Sequence, residues 1–161
     1  TSSFVPKPFT PFQWVAQNSM EELDRKQKLL QKELRIKHVQ YSWSDSRASF
    51  LEAVFARGDR RLGKVIKRAW EKGCSFDGWA ELFRFETWME AFEEEGIDPH
   101  FYANRQREAD EVLPWDHIDV GVTKKYLWRE YQKALKMELT EDCRLNCTGC
   151  GVSLLGEGVC T

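Results

Sequence analysis

Gly58, Gly73 and Gly96 each close a run of apolar residues at helical spacing, and that punctuation points to short packed helices. Phe50, Leu51, Val54 and Phe55 precede the first glycine and predict a helix over 44–57. Leu62, Val65, Ile66, Ala69 and Trp70 precede the second and predict one over 59–72. Trp88, Met89 and Phe92 precede the third, with a helix expected over 86–95. An earlier helix opens at the capping box Ser19-Met-Glu-Glu22 and is expected to reach about Lys37, with Leu23, Leu29, Leu30, Leu34 and Ile36 as its apolar stripe. Thr123 caps a last helix to about Met137, whose inner face carries Tyr126, Leu127, Tyr131 and Leu135. Val39-Gln-Tyr41-Ser-Trp43 alternates apolar and polar residues and reads as a short half-buried strand. Asp77 is placed to cap a short turn with Trp79, Leu82 and Phe83 inward, and 101–122 reads as irregular. The expected class is mainly α, with a minor β contribution.

The front of the chain obeys other rules. Pro6, Pro8 and Pro11 rule out a helix and favour an extended path, while Phe4, Phe9, Phe12 and Trp14 give it apolar area that must be covered by another surface. Three regions follow: an extended proline and aromatic arm over 1–18, a helical domain over 19–138 and a cysteine-rich tail over 139–161. The 161 residues carry a net charge of −2, too little to steer nucleic acid or a membrane surface over long range. No apolar run approaches the roughly 20 residues that span a bilayer. A secretory leader is not evident, so a cytoplasmic location with reduced thiols is expected. The sequence opens without Met and reads as a segment of something longer.

Four of the five cysteines fall at the end: Cys143, Cys147, Cys150 and Cys160. Cys147-Thr-Gly-Cys150-Gly151 has the form of a metal knuckle, in which two thiolates hold one ion and the following glycine lets backbone N–H groups turn toward sulfur. Cys143 and Cys160 can complete four ligands, and sulfur donors suit zinc or an iron–sulfur cluster. The spacing C-x3-C-x2-C from Cys143 to Cys150 is that of radical S-adenosylmethionine enzymes, yet only eleven residues follow Cys150, with no room for the strands that hold that cofactor. Zinc and an accessory cluster both remain open, as does the plainer reading of free or adventitiously paired thiols in a disordered terminus. Cys74, alone among apolar residues, reads as a small buried hydrophobe.

The opening Ser3-Phe-Val-Pro-Lys-Pro-Phe-Thr-Pro-Phe-Gln-Trp14 resembles the segment that closes the barrel in radical SAM proteins carrying an N-terminal cobalamin-binding-type domain. Arg57-Gly-Asp-Arg-Arg61, Trp70-Glu-Lys-Gly-Cys74, Phe76-Asp-Gly-Trp79, Leu113-Pro-Trp-Asp-His-Ile-Asp-Val-Gly121 and Thr140-Glu-Asp-Cys-Arg144 are similar to the region downstream of that barrel, so the resemblance covers the chain. It implies the C-terminal part of a radical SAM iron–sulfur protein. Upstream, in the parent, would lie the barrel with its 4Fe–4S cluster and S-adenosylmethionine, and a cobalamin-type domain. Residues 1–14 would pack along the barrel's last strand, and Lys7 would stand near the cofactor end, facing an anionic group. The upstream barrel is then this chain's partner.

Other residues carry weaker chemistry. His117 lies between Asp116 and Asp119 and could act as an acid or base, though Asp116 as a turn cap beside a buried Trp115 is the plainer reading. His38 and His100 read as surface groups. Glu86, Glu90 and Glu93-Glu-Glu95 form an acidic face. Arg57, Arg60, Arg61, Lys64, Lys67 and Arg68 form a basic cluster that could contact RNA phosphates, with Trp70 and Trp79 expected to be buried. The alternative to the radical SAM reading is a small helical zinc-knuckle module for RNA or protein, or a docking domain without chemistry.

Overall fold

The computed structural model describes residues 5–154. Six helices follow one another, α1 Met20–Glu33, α2 Ser46–Ala56, α3 Leu62–Glu71, α4 Phe85–Glu94, α5 His100–Ala103 and α6 Lys124–Leu135, with a 3-10 turn at Val152–Leu154. Among the described residues there is no strand, and the mainly α expectation holds. The chain divides into two compact units, Val5 with Ala16–Arg105 and Pro6–Val15 with the residues from Gln106 onward.

In the first unit each helix starts and stops for local reasons. The Ser19 hydroxyl accepts the Glu22 N–H, as the capping box requires, and the Asp45 carboxylate accepts the N–H groups of Arg47 and Ala48 at the head of α2. Gly73 and Gly96 take left-handed backbone, φ +91° and +62°, and let Cys74 and Ile97 return their N–H groups to the carbonyls of Ala69 and Phe92. The core is Phe50, Leu51, Val54, Leu62, Val65, Ala69, Cys74, Trp88, Phe92 and Tyr102, with Phe55 edge-on to Trp88 at 5.2 Å. Arg57 lies wholly inside this unit. Its guanidinium donates to the Ala103 carbonyl at 3.0 Å and the Arg105 carbonyl at 3.2 Å, tying the end of α2 to the end of α5.

Several expectations fail here. α1 stops at Glu33 rather than Lys37: the Leu34 N–H makes the last helical bond, to the Leu30 carbonyl, and the chain then turns, with Val39 N–H on the Ile36 carbonyl and His38 at φ +71°. Its buried stripe includes Gln27, whose amide donates to the Ser44 carbonyl, while Leu29 and Ile36 are exposed. Residues 39–43 form no ladder. Their alternation puts Tyr41 and Trp43 on one side of the chain, where the rings stack on each other 5.4 Å apart. On α3 only Leu62, Val65 and Ala69 turn inward, and Ile66 and Trp70 face out. Trp79 and Leu82 are also exposed, against the expected burial.

The second unit is organised around the leader. Residues 8–15 turn rather than run extended: Gln13 N–H bonds to the Thr10 carbonyl and Val15 N–H to Phe12, with Phe9 at φ +56°. Proline fixes one dihedral that suits a turn as well as an extended chain, which is why the extended path expected from Pro6, Pro8 and Pro11 does not form. Trp14 is 0% exposed and packs with Leu113, Trp115, Leu127 and Tyr131. The aromatic leader is therefore covered by residues of its own unit. Phe12, more exposed, still meets Tyr131 edge-on at 6.2 Å. Phe4 lies outside the described residues.

Candidate metal centre

α6 is the element on which the cysteine tail rests. Thr123 caps it, its hydroxyl accepting the Tyr126 N–H at 3.2 Å. Its first turn is fixed from below by Lys124, whose ammonium donates to the Glu111 carbonyl and to the Asp116 carboxylate, each at 2.6 Å. Asp116 also accepts the Leu113 N–H at 2.8 Å, so it closes the turn as expected, with Trp115 buried and His117 exposed.

After α6 the chain reverses at Met137 and comes back along the helix. Thr140 bonds to Glu130 through its hydroxyl and accepts the Lys133 ammonium at 3.0 Å. Burial acts to raise the Glu130 carboxyl pKa, but Thr140, Lys133 and Arg129 together outweigh it and hold it below the usual range. A turn from Asp142 to Leu145 carries Cys143 on its exposed side. The Cys147–Cys150 loop then meets α6 at two backbone points. Arg129 donates to the Thr148 carbonyl, and Thr123 N–H donates to the Cys150 carbonyl at 2.9 Å. The Arg129 guanidinium lies over the Tyr126 ring, 4.9 Å from its centre.

Cys147 is exposed and borders an open cavity of about 430 Å³ lined also by Arg129, Lys133, Thr140 and Asn146. Cys150 is half-buried. Among the described residues no three His, Cys, Asp or Glu side chains come together closely enough to hold a metal ion. The predicted ligands are thus not assembled among the described residues: Cys143 and Cys147 are exposed and Cys150 is half-buried. Cys160 lies outside the described residues. Cys74 is no ligand candidate: it sits in the core of the other unit, where burial, more than the nearby Asp77, pushes its thiol up.

The remaining predicted sites separate. Lys7 is exposed, and its carbonyl accepts the Thr10 hydroxyl at 2.8 Å. Of the six basic residues read as a cluster, Arg57 is buried. Arg61 pairs with Asp59, Lys67 with Glu71, and Arg68 with Glu71, Glu94 and Glu95. The acidic face of α4 is the other half of that arrangement, since Glu90 and Glu94 also meet Lys72, whose ammonium holds the Glu94 carboxyl below its usual range. His100 bonds to Asn104 at 2.8 Å. The sequence carried no signal for Arg129, one arginine among several on charged helices.

No family model matches the chain, and neither a curated protein nor a solved structure does. No helix among the described residues is long and apolar enough to cross a membrane.

Proposed function

We propose that this chain is the C-terminal part of a radical S-adenosylmethionine iron–sulfur protein, a helical region that caps the catalytic barrel and contributes a cysteine metal site. The motif resemblance motivates the parentage. The observation that carries the site is the seating of Cys147-Thr-Gly-Cys150 on α6 through the Thr148 and Cys150 carbonyls. On this reading Cys147 and Cys150 would form the knuckle, and Cys143 and Cys160 would be drawn in on binding to complete a four-sulfur set for an iron–sulfur cluster or zinc. S-adenosylmethionine and the cobalamin-type group belong to the upstream part of the parent, and the role of Lys7 toward that cofactor rests on the resemblance alone. The cluster or ion would serve this chain by electron transfer in the first case and by structure in the second.

Purification without oxygen tests the metal. Iron with acid-labile sulfide and broad visible absorption supports the cluster, and stoichiometric zinc in colourless protein supports the second form. Protein that stays free of both under reducing conditions sinks the site. For the parentage, the coding sequence upstream of Thr1 should continue into a barrel with its own C-x3-C-x2-C motif.

A second reading has its own support. Trp70, Phe76 and Trp79 are 68%, 74% and 63% exposed, and large apolar side chains left in water mark interaction surfaces. Lys67 and Arg68, on α3 with Trp70, are already engaged with carboxylates, which favours a protein partner over RNA. On this reading the chain is a zinc-knuckle docking module. Zinc-loaded protein that binds a partner only while those rings are intact would favour it.

A further inference from the structure

We propose that a hollow at the first turn of α6 is a binding site for a small uncharged molecule that carries a carbonyl, an inference independent of the cysteine reading. The hollow measures about 270 Å³ and lies wholly within the second unit. Buried Gln13 and Leu127 make its floor, Phe9 and Val122 stand half-buried beside them, and the exposed run from Asp116 to Val120 makes its rim.

Gln13 decides the chemistry. It is 2% exposed, and its side-chain oxygen accepts twice, from the Trp115 indole N–H at 2.7 Å and from the Phe9 N–H at 3.1 Å. Both of those groups only donate, so the carboxamide has one orientation and its Nε2 is held away from them. Among the described residues that Nε2 donates to nothing. A fixed pair of N–H donors on a buried side chain at the floor of a hollow calls for an acceptor. The charges of the lining decide which kind. Lys124 is closed off, since its ammonium donates to the Glu111 carbonyl and to the Asp116 carboxylate. Asp119 accepts the Gly121 N–H at 2.8 Å and makes no ion pair among the described residues, so its carboxylate repels a ligand carboxylate or phosphate. The amide donors in turn repel a cation from the floor. An uncharged carbonyl oxygen meets both conditions. Ile118 and Val120, 49% and 39% exposed on the rim, are then covered by the apolar body of the ligand.

The probe is ε-caprolactam, an uncharged cyclic amide, titrated into the ¹⁵N-labelled full chain beside hexanoate and hexylammonium as an anion and a cation of similar size. Caprolactam is expected to shift the Gln13 side-chain N–H resonances saturably, and the two ions to bind more weakly by about tenfold or more. Gln13→Glu keeps an acceptor for Trp115 and Phe9 and replaces the N–H donors with an oxygen. It should weaken caprolactam binding by about tenfold or more while leaving the near-ultraviolet circular dichroism of the fold unchanged. Val122→Phe fills the hollow without touching the Gln13 bonds and should block binding as well. Undiminished caprolactam binding in Gln13→Glu overturns the proposal, as does tighter binding of either ion. Gln13 resonances that stay in place through the caprolactam titration mean that solvent alone serves the amide, and they overturn it too. If Gln13→Glu fails to fold, Val122→Phe decides, and wild-type affinity in that variant counts against the site.

Discussion

The two units reach a buried core by different routes. In the first, α2, α3 and α4 turn regular faces inward: Phe50, Leu51 and Val54, then Leu62, Val65 and Ala69, then Phe85, Trp88 and Phe92. In the second, a single long helix meets segments without regular structure, and the core forms around Trp14, Leu113 and Trp115. There the organiser is polar. Gln13 is buried, and its side-chain oxygen accepts both the Trp115 indole N–H at 2.7 Å and the Phe9 N–H at 3.1 Å. The comparison teaches that periodicity builds the first core, while the second depends on a few long-range contacts that fix irregular chain.

The sharpest way to break that comparison is Trp14→Ala. If the leader belongs to the second core, the substitution removes a fully buried indole and costs about 3–5 kcal/mol, read as a lower urea midpoint. A loss below about 1 kcal/mol, ordinary for a residue outside special environments, would mean that Trp14 does not organise this unit.

Gln13→Leu tests the polar organiser with a smaller effect. The replacement keeps the volume roughly constant and leaves the Trp115 and Phe9 N–H groups without their acceptor. The buried Trp115 donor costs about 1–3 kcal/mol when orphaned, and the part-buried Phe9 N–H, within reach of water, costs less. Stability equal to wild type would show that apolar packing alone holds the second core.

These differences explain what could be read in advance. The helices around Phe50, Val65 and Phe92 announce themselves because apolar spacing is local information. The same local pattern misleads on α3: Ile66 and Trp70 continue the apolar run, yet a helix packed on one side has room inside for only one stripe, and both face out. Residues 39–43 have the alternation of a strand without a neighbouring strand among the described residues, and a strand needs one to accept its N–H groups. At the tail the thiols were legible from their spacing. The arginine that meets Thr148 was not, because a hydrogen bond from a helix side chain to a loop carbonyl leaves no pattern in sequence.

A cap on the first unit offers a pH-dependent test. Asp45 heads α2, and the Arg47 guanidinium holds its carboxyl below the usual range, aided by the N–H groups of Arg47 and Ala48. Asp45→Ala should cost about 1 kcal/mol at neutral pH. A folded-state pKa below the unfolded one gives stability that is present above the unfolded pKa, about 3.9, and is lost as pH falls through the folded value. The gap between wild type and variant should therefore close on acidification below about pH 4 in thermal melts. A gap that widens instead would contradict the cap.

The smallest effect is expected at Trp70, and it is informative because Trp14 is the same residue type in the opposite environment. Trp70 stands on the outer face of α3, mostly in water, and among the described residues no other ring packs on it. Nothing in its surroundings creates a cavity on truncation, so Trp70→Ala should change unfolding free energy by no more than about 0.5 kcal/mol. The same variant, measured by sedimentation or pull-down against a candidate partner, reads the surface role separately from the fold. A loss of several kcal/mol in the isolated chain would place the indole in a core after all and remove the exposed aromatic face from consideration as a docking surface.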